Sequence, residues 1–129
     1  MEFLGQAAAV IMQDGKLLLI KRGKECHEAG KWCTMNETIE EEEMPEEAAV
    51  RGAKEELGVD FEVGKKLFEH FCNGHTTHVF SGNFSGEIRP DKREVEEWGW
   101  FDYEETKGLV FAYDYNKVVD KLFELGLIQ

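Results

Sequence analysis

Apolar residues recur along this chain with two different periods. Residues 7–12 and 16–22 are apolar runs separated by Gln13-Asp14-Gly15, the pattern of a β-hairpin closed by an Asp-Gly turn. A polar loop containing Gly23 and Gly30 follows, as far as Lys31-Trp32. From Met44 the period lengthens. Ala49, Ala53 and Leu57 recur at helical spacing, with Pro45 at the first position, Glu46 and Glu47 at the positive end of the dipole, and Gly58 as the stop. Residues 61–72 and 75–88 are strand-rich around Asn73-Gly74, a second two-residue turn. Residues 97–101 predict one more strand, ending at Asp102, whose spacing to Glu105 offers a capping box. Tyr115, Val118, Val119 and Leu122 predict a closing amphipathic helix, capped by Asp114 and ended by Gly126. The order of hairpin, helix, strands and helix is that of an α+β fold with helices packed on a mixed sheet.

Composition narrows the picture. The chain has 129 residues, two prolines and no linker-like tract, which predicts one domain over 1–129. Aromatic residues make up 12% of it, enough large side chains to fill a core. Fifteen basic against 27 acidic residues leave a net charge of −12, the wrong sign for a duplex nucleic acid partner. Cys26, Cys33 and Cys72 are odd in number and lack CxxC spacing, as expected of reduced thiols in a cytoplasmic protein. The amino terminus lacks the basic start of a signal peptide, and no apolar run is long enough for a membrane span.

The acidic residues are unevenly placed. Residues 37–56 hold nine Glu against Arg51 and Lys54. A charged run ordinarily makes a solvated helix face, but two features count against that here. Residues 40–43 are four consecutive glutamates, which repel, and Glu55 and Glu56 lie at the negative end of the helix. Two carboxylates about 4 Å apart repel by roughly 4 kcal/mol at an effective dielectric near 20. A divalent cation reverses that sign. Oxygen donors with no matched His or Cys set point to Mg²⁺ or Mn²⁺, with the phosphate oxygens of a ligand completing the shell.

The same residues resemble the Nudix hydrolases, whose signature is G-x5-E-x7-R-E-U-x-E-E-x-G-U, with U a bulky aliphatic. Laid on this chain, the signature is matched by Glu43, Arg51, Glu55, Glu56, Gly58 and Val59, and weakly by Ala53. The leading hairpin, Gly30-Lys31-Trp32, and Glu94-x-x-Glu97-x-x-Trp100-Phe101 extend the resemblance over nearly the whole chain. It implies an α/β/α sandwich, a mixed β-sheet flanked by helices. It also implies Mg²⁺- or Mn²⁺-dependent attack of water on the diphosphate of a small nucleoside diphosphate derivative. Glu55 and Glu56 are then metal ligands and catalytic residues, and Arg51, four residues before Glu55, orients the carboxylates. Arg22, at the end of the hairpin, is placed to reach phosphate. By family analogy a homodimer is admissible.

Two positions depart from the signature. Glu37 stands where the family has glycine, within Met35-Asn36-Glu37 in place of Pro-Gly-Gly, and Gly52 stands where it has its first helix glutamate. That glutamate is commonly a metal ligand in the family and sometimes the general base, a role worth about 10²–10⁴-fold in rate. Gly52 is consistent with a close approach by another segment or ligand. If position 37 needs positive φ, Glu37 is strained there. Glu37, Glu40 or Glu94 is expected to restore the third carboxylate, with Glu37 and Glu94 as metal ligands beside Glu55 and Glu56. Two functions follow: a hydrolase, or a catalytically weak Nudix domain that binds a nucleotide metabolite as a sensor or regulator. An isopentenyl diphosphate isomerase fits poorly, because its cysteine and histidine positions fall at Asn36 and Thr38. His75 and His78, three apart on a strand, point to opposite faces and do not form a zinc site with Cys72.

Overall fold

A computed structural model describes residues 4–129; residues 1–3, where the reading of the amino terminus begins, lie outside the described residues. The elements run β1 (Gln6–Val10), β2 (Met12–Gln13), β3 (Lys16–Arg22), β4 (Trp32–Cys33), β5 (Met35–Thr38), α1 (Pro45–Leu57), β6 (Asp60–Cys72), β7 (His75–Ser85), β8 (Val95–Phe101), α2 (Tyr103–Thr106) and α3 (Tyr115–Glu124). They form two units. One takes in Met1–Val10, as far as it is described, and Met35–Asp91; the other takes in Ile11–Thr34 and Lys92–Gln129.

The first unit is a mixed four-stranded sheet in the order β5-β1-β7-β6. β1 runs parallel to β7 and antiparallel to β5, and β6 runs antiparallel to β7. Every residue of β1 from Ala7 to Val10 is buried, as in strands covered on both faces. α1 packs on β1, β5 and β6. The alanines at 48, 49 and 53 are fully buried, so the predicted stripe is the face that meets the sheet. The β6–β7 hairpin turns at Asn73 (φ 51°) and Gly74 (φ 79°), both left-handed as a type I′ turn requires. β7 ends at Ser85 rather than at residue 88.

In the second unit β3 pairs antiparallel with β2, β4 and β8. The Asp14-Gly15 turn joins β2 to β3 as expected, but the apolar run before it is divided. Residues 6–10 belong to the first sheet and 12–13 to the second, with the break at Ile11. Trp32 meets Phe101 edge to face at 5.1 Å. The capping box of α2 forms, with Glu105 N donating to Asp102 Oδ1 (2.8 Å) and Asp102 N to Glu105 Oε1 (3.0 Å). Tyr115, Val118, Val119 and Leu122 are buried along α3, again as predicted. Asp114 does not cap that helix through its side chain. Its backbone is left-handed (φ 56°), whereas a side-chain cap needs extended backbone at that position.

Among the described residues no helix is long and apolar enough to cross a membrane. Cys26, Cys33 and Cys72 are thiols.

Candidate active site

The acidic segment folds around one guanidinium. Glu43 N donates to Glu40 O (3.1 Å), and Glu40 N donates back to Glu43 Oε1 (3.0 Å), so the tetraglutamate segment closes into a turn. α1 then opens at Pro45, with Met44 N donating to Glu47 Oε1 (2.9 Å). Two turns on, Arg51 grips Glu43 with two parallel bonds, Nε to Oε2 at 2.8 Å and Nη2 to Oε1 at 3.0 Å. Nη2 also donates to the Thr38 carbonyl (2.8 Å). Nη1 faces Glu55 (3.3 Å), Glu37 (3.6 Å) and Glu40 (3.7 Å). One positive charge is thus shared among four carboxylates.

The electrostatic consequences follow from that sharing. The two bonds from Arg51 hold the Glu43 carboxyl below its usual range, and the Glu43 bond, with Glu37 and Glu40 beside it, raises Arg51 further despite its partial burial. The expected i,i+4 contact between Arg51 and Glu55 is present, as one limb of this larger network. Glu55 is 57% exposed. Glu56, its neighbour, is only 5% exposed. The end of α1 is firmly closed. Gly58 adopts a left-handed cap (φ 71°) and donates to Lys54 O, while the carbonyls of Glu56 and Leu57 accept from Asp91 N (2.9 Å) and Arg89 N (2.7 Å).

The two departures from the signature meet in space. Glu37 lies in β5, opposite Ala7, and is not among the left-handed residues, so the expected strain is absent: the segment has become a strand edge. Gly52 is buried inside α1, where glycine costs about 1 kcal/mol relative to alanine. A Cβ at position 52 would fall 2.7 Å from Glu37 Cβ and 2.8 Å from Met35 Sδ. The close approach that Gly52 called for is that of β5.

Among the described residues, no three His, Cys, Asp or Glu groups converge as a preformed metal cluster; the carboxylates are turned toward Arg51 instead. Their chemistry, all hard oxygen donors in excess of the local positive charge, fits a hard divalent ion. Arg22 and Glu94 belong to the second unit. Arg22 is half-buried: its Nε donates to the His27 carbonyl, Nη1 approaches Cys33 Sγ (3.9 Å), and the guanidinium lies 5.1 Å from the centre of the Tyr113 ring. Tyr113 in turn bonds His27 Nδ1 at 3.0 Å. Neither partner was readable as such, because both are loop residues remote from Arg22 in periodicity. Glu94 sits just before β8, and its carbonyl accepts from Gly23 N (2.9 Å). His78 lies against Lys66 (2.9 Å) and Glu69 (3.6 Å) on the β6–β7 hairpin.

A NUDIX domain family model matches residues 3–122, running through both units. The chain belongs to the Nudix family. It is 29% identical over 103 residues to the CTP pyrophosphohydrolase of Escherichia coli (strain K12), a span of 76% of each protein. It is 31% identical over 114 residues to isopentenyl-diphosphate Delta-isomerase 1 of Aromatoleum aromaticum, a span of 77% of this chain and 63% of that protein. The crystal structure of a MutT NUDIX hydrolase from Burkholderia pseudomallei superimposes with a TM-score of 0.75 at 29% identity, over 91% of this chain and 95% of that one. The expected fold, a mixed sheet flanked by helices of the Nudix type, is therefore the fold of this Nudix protein. In it the Nudix box is the turn at residues 40–43 followed by α1.

Proposed function

We propose that this Nudix protein hydrolyses the diphosphate of a small nucleoside diphosphate derivative with Mg²⁺ or Mn²⁺, in the cytoplasm. The observation that carries the reading is the charge imbalance in the box, where four carboxylates lie within 3.7 Å of a single guanidinium and the buried Glu56 adjoins them. Glu55 and Glu56 would hold the ion. A bound divalent ion lowers the pKa of water and offsets charge on the phosphoryl oxygens. That chemistry also lets a chain of net charge −12 accept a polyanion. Arg51 positions Glu43 and Glu55, so the turn and the helix keep a fixed geometry while substrate enters. Water attacks one phosphorus, the bond to the bridging oxygen breaks, and a nucleoside phosphate leaves.

The likeness to a CTP pyrophosphohydrolase supports placing CTP in a panel with sugar nucleotides, dinucleotides and oxidised nucleotides. Isopentenyl diphosphate belongs beside them as the isomerase control. Nucleoside monophosphate release is measured with Mg²⁺ or Mn²⁺ for the natural chain and for Glu56→Gln. Turnover that needs the ion and falls at least 10²-fold in Glu56→Gln is expected, on the scale of a lost catalytic carboxylate. Nucleotide binding without turnover under either ion would make the protein a sensor rather than an enzyme.

A further inference from the structure

The acidic surplus is carried unevenly. Ten of the 15 basic residues, against twelve of the 27 acidic ones, fall in the second unit. Three of those cations line one cavity there, of about 560 Å³, within the size range of small-molecule sites. Lys24 comes from the loop after β3, and Lys92 and Arg93 from the loop before β8. The two loops are tied to each other by the chain itself. Gly23 N donates to Glu94 O (2.9 Å) and Cys26 N to Gly23 O (3.0 Å), while the Cys26 thiol donates to Glu94 O (3.6 Å) with Arg93 O at 3.9 Å. Position 23 has to be glycine for this closure, because a Cβ there would lie 2.7 Å from the Arg93 carbonyl oxygen.

In a chain this acidic, lysines readily find carboxylates: Lys16, Lys21, Lys31, Lys54, Lys107 and Lys117 each lie within 3.9 Å of one. Among the described residues, the ammonium groups of Lys24 and Lys92 have neither an ion pair nor a hydrogen bond, although Glu25 and Glu96 line the same cavity. Glu96 is paired with Lys21 instead (3.7 Å). Three cations on one concave surface repel unless an anion sits among them. Ammonium and guanidinium groups are the usual donors to phosphate, and loops fixed beforehand reduce the ordering that binding requires. We propose that this cavity binds the phosphate of a small phosphorylated anion through Lys24, Lys92 and Arg93, without a metal ion. The anion has two sources, an outlying phosphate of a nucleotide or a free phosphorylated metabolite, and the chemistry is the same for both. The assignment is independent of the metal-dependent reading of the box.

The test is titration of pyrophosphate into the full chain in EDTA, followed by the backbone amide spectrum. The natural chain is expected to bind, with shifts concentrated at residues 23–26 and 92–96. Lys24→Gln combined with Lys92→Gln removes two exposed ammonium groups that hold nothing in the fold. It is expected to melt with the natural chain and to bind pyrophosphate at least about tenfold more weakly, the scale of one charge-assisted hydrogen bond. Lys54→Gln combined with Lys117→Gln changes the net charge equally at residues outside the cavity, and is expected to leave the affinity nearly unchanged. An equal loss in that control, shifts confined to other residues, or no binding in EDTA overturns the proposal and leaves the box reading to its own test. CTP titrated in EDTA into the natural chain and the Lys24/Lys92 variant separates the two sources. A parallel loss assigns the cavity to an outlying nucleotide phosphate, whereas unchanged affinity or no CTP binding assigns it to a free anion.

Discussion

Arg51 carries more of the local structure than its spacing announced. From the sequence its partner is Glu55, four residues on; in the structure its shortest bonds to a carboxylate go to Glu43, eight residues back. The difference is geometric, because a two-bond fork needs a carboxylate presented edge-on, and the turn at residues 40–43 presents Glu43 that way. Glu43 is depressed in the folded chain and unperturbed, near 4.3, in the unfolded one. Its contribution is therefore complete above the unfolded value and is lost as pH falls through the folded one. Arg51→Lys keeps the charge and forfeits the fork. Solvent reaches this pair, so the cost at neutral pH is expected to be about 1–2 kcal/mol, a few degrees in Tm. Melts at descending pH are expected to show the gap to the natural chain closing as Glu43 takes up its proton. A gap constant with pH would assign the loss to packing instead.

Elements with strong local chemistry were legible, and elements created by tertiary pairing were not. α1 announced itself through Pro45, its alanine stripe and Gly58, and the two turns through Asp14-Gly15 and Asn73-Gly74. β4 and β5 carry no such signal. They are two and four residues long, and they exist because β3 and β1 offer them partners. Missing β5 left Gly52 unexplained, since the reason for that glycine lies on the strand and not on the helix. The reverse holds at Gly58, where the reason is local. Its left-handed backbone and the Arg89 carbonyl 3.3 Å from a would-be Cβ both oppose a side chain. Gly58→Ala is expected to cost about 1–2 kcal/mol, the left-handed penalty, and to lower Tm by several degrees. Amide exchange would locate the loss in the last turn of α1, whereas a loss spread evenly over the chain would contradict a capping role.

For the molecule as a whole, the net charge of −12 is plain in the composition, but its convergence on one guanidinium is a product of the fold. The distinction is measurable, because diffuse and local charge respond differently to added ions. Diffuse repulsion is relieved by any salt, through a screening length of about 10 Å at 0.1 M, and continues to change as salt is added. A site saturates. Its stabilisation grows as RT ln(1 + [L]/Kd), about 2.7 kcal/mol at one hundred times Kd, and depends on the identity of the ion. Melts in MgCl2 and in NaCl at matched ionic strength are therefore expected to diverge, with Tm higher in MgCl2. Glu56→Gln is expected to remove the excess due to Mg²⁺ and leave the rise due to NaCl, since one charge in so large an excess hardly alters screening. Coincident curves for the two salts in the natural chain would make the box an acidic surface and nothing more.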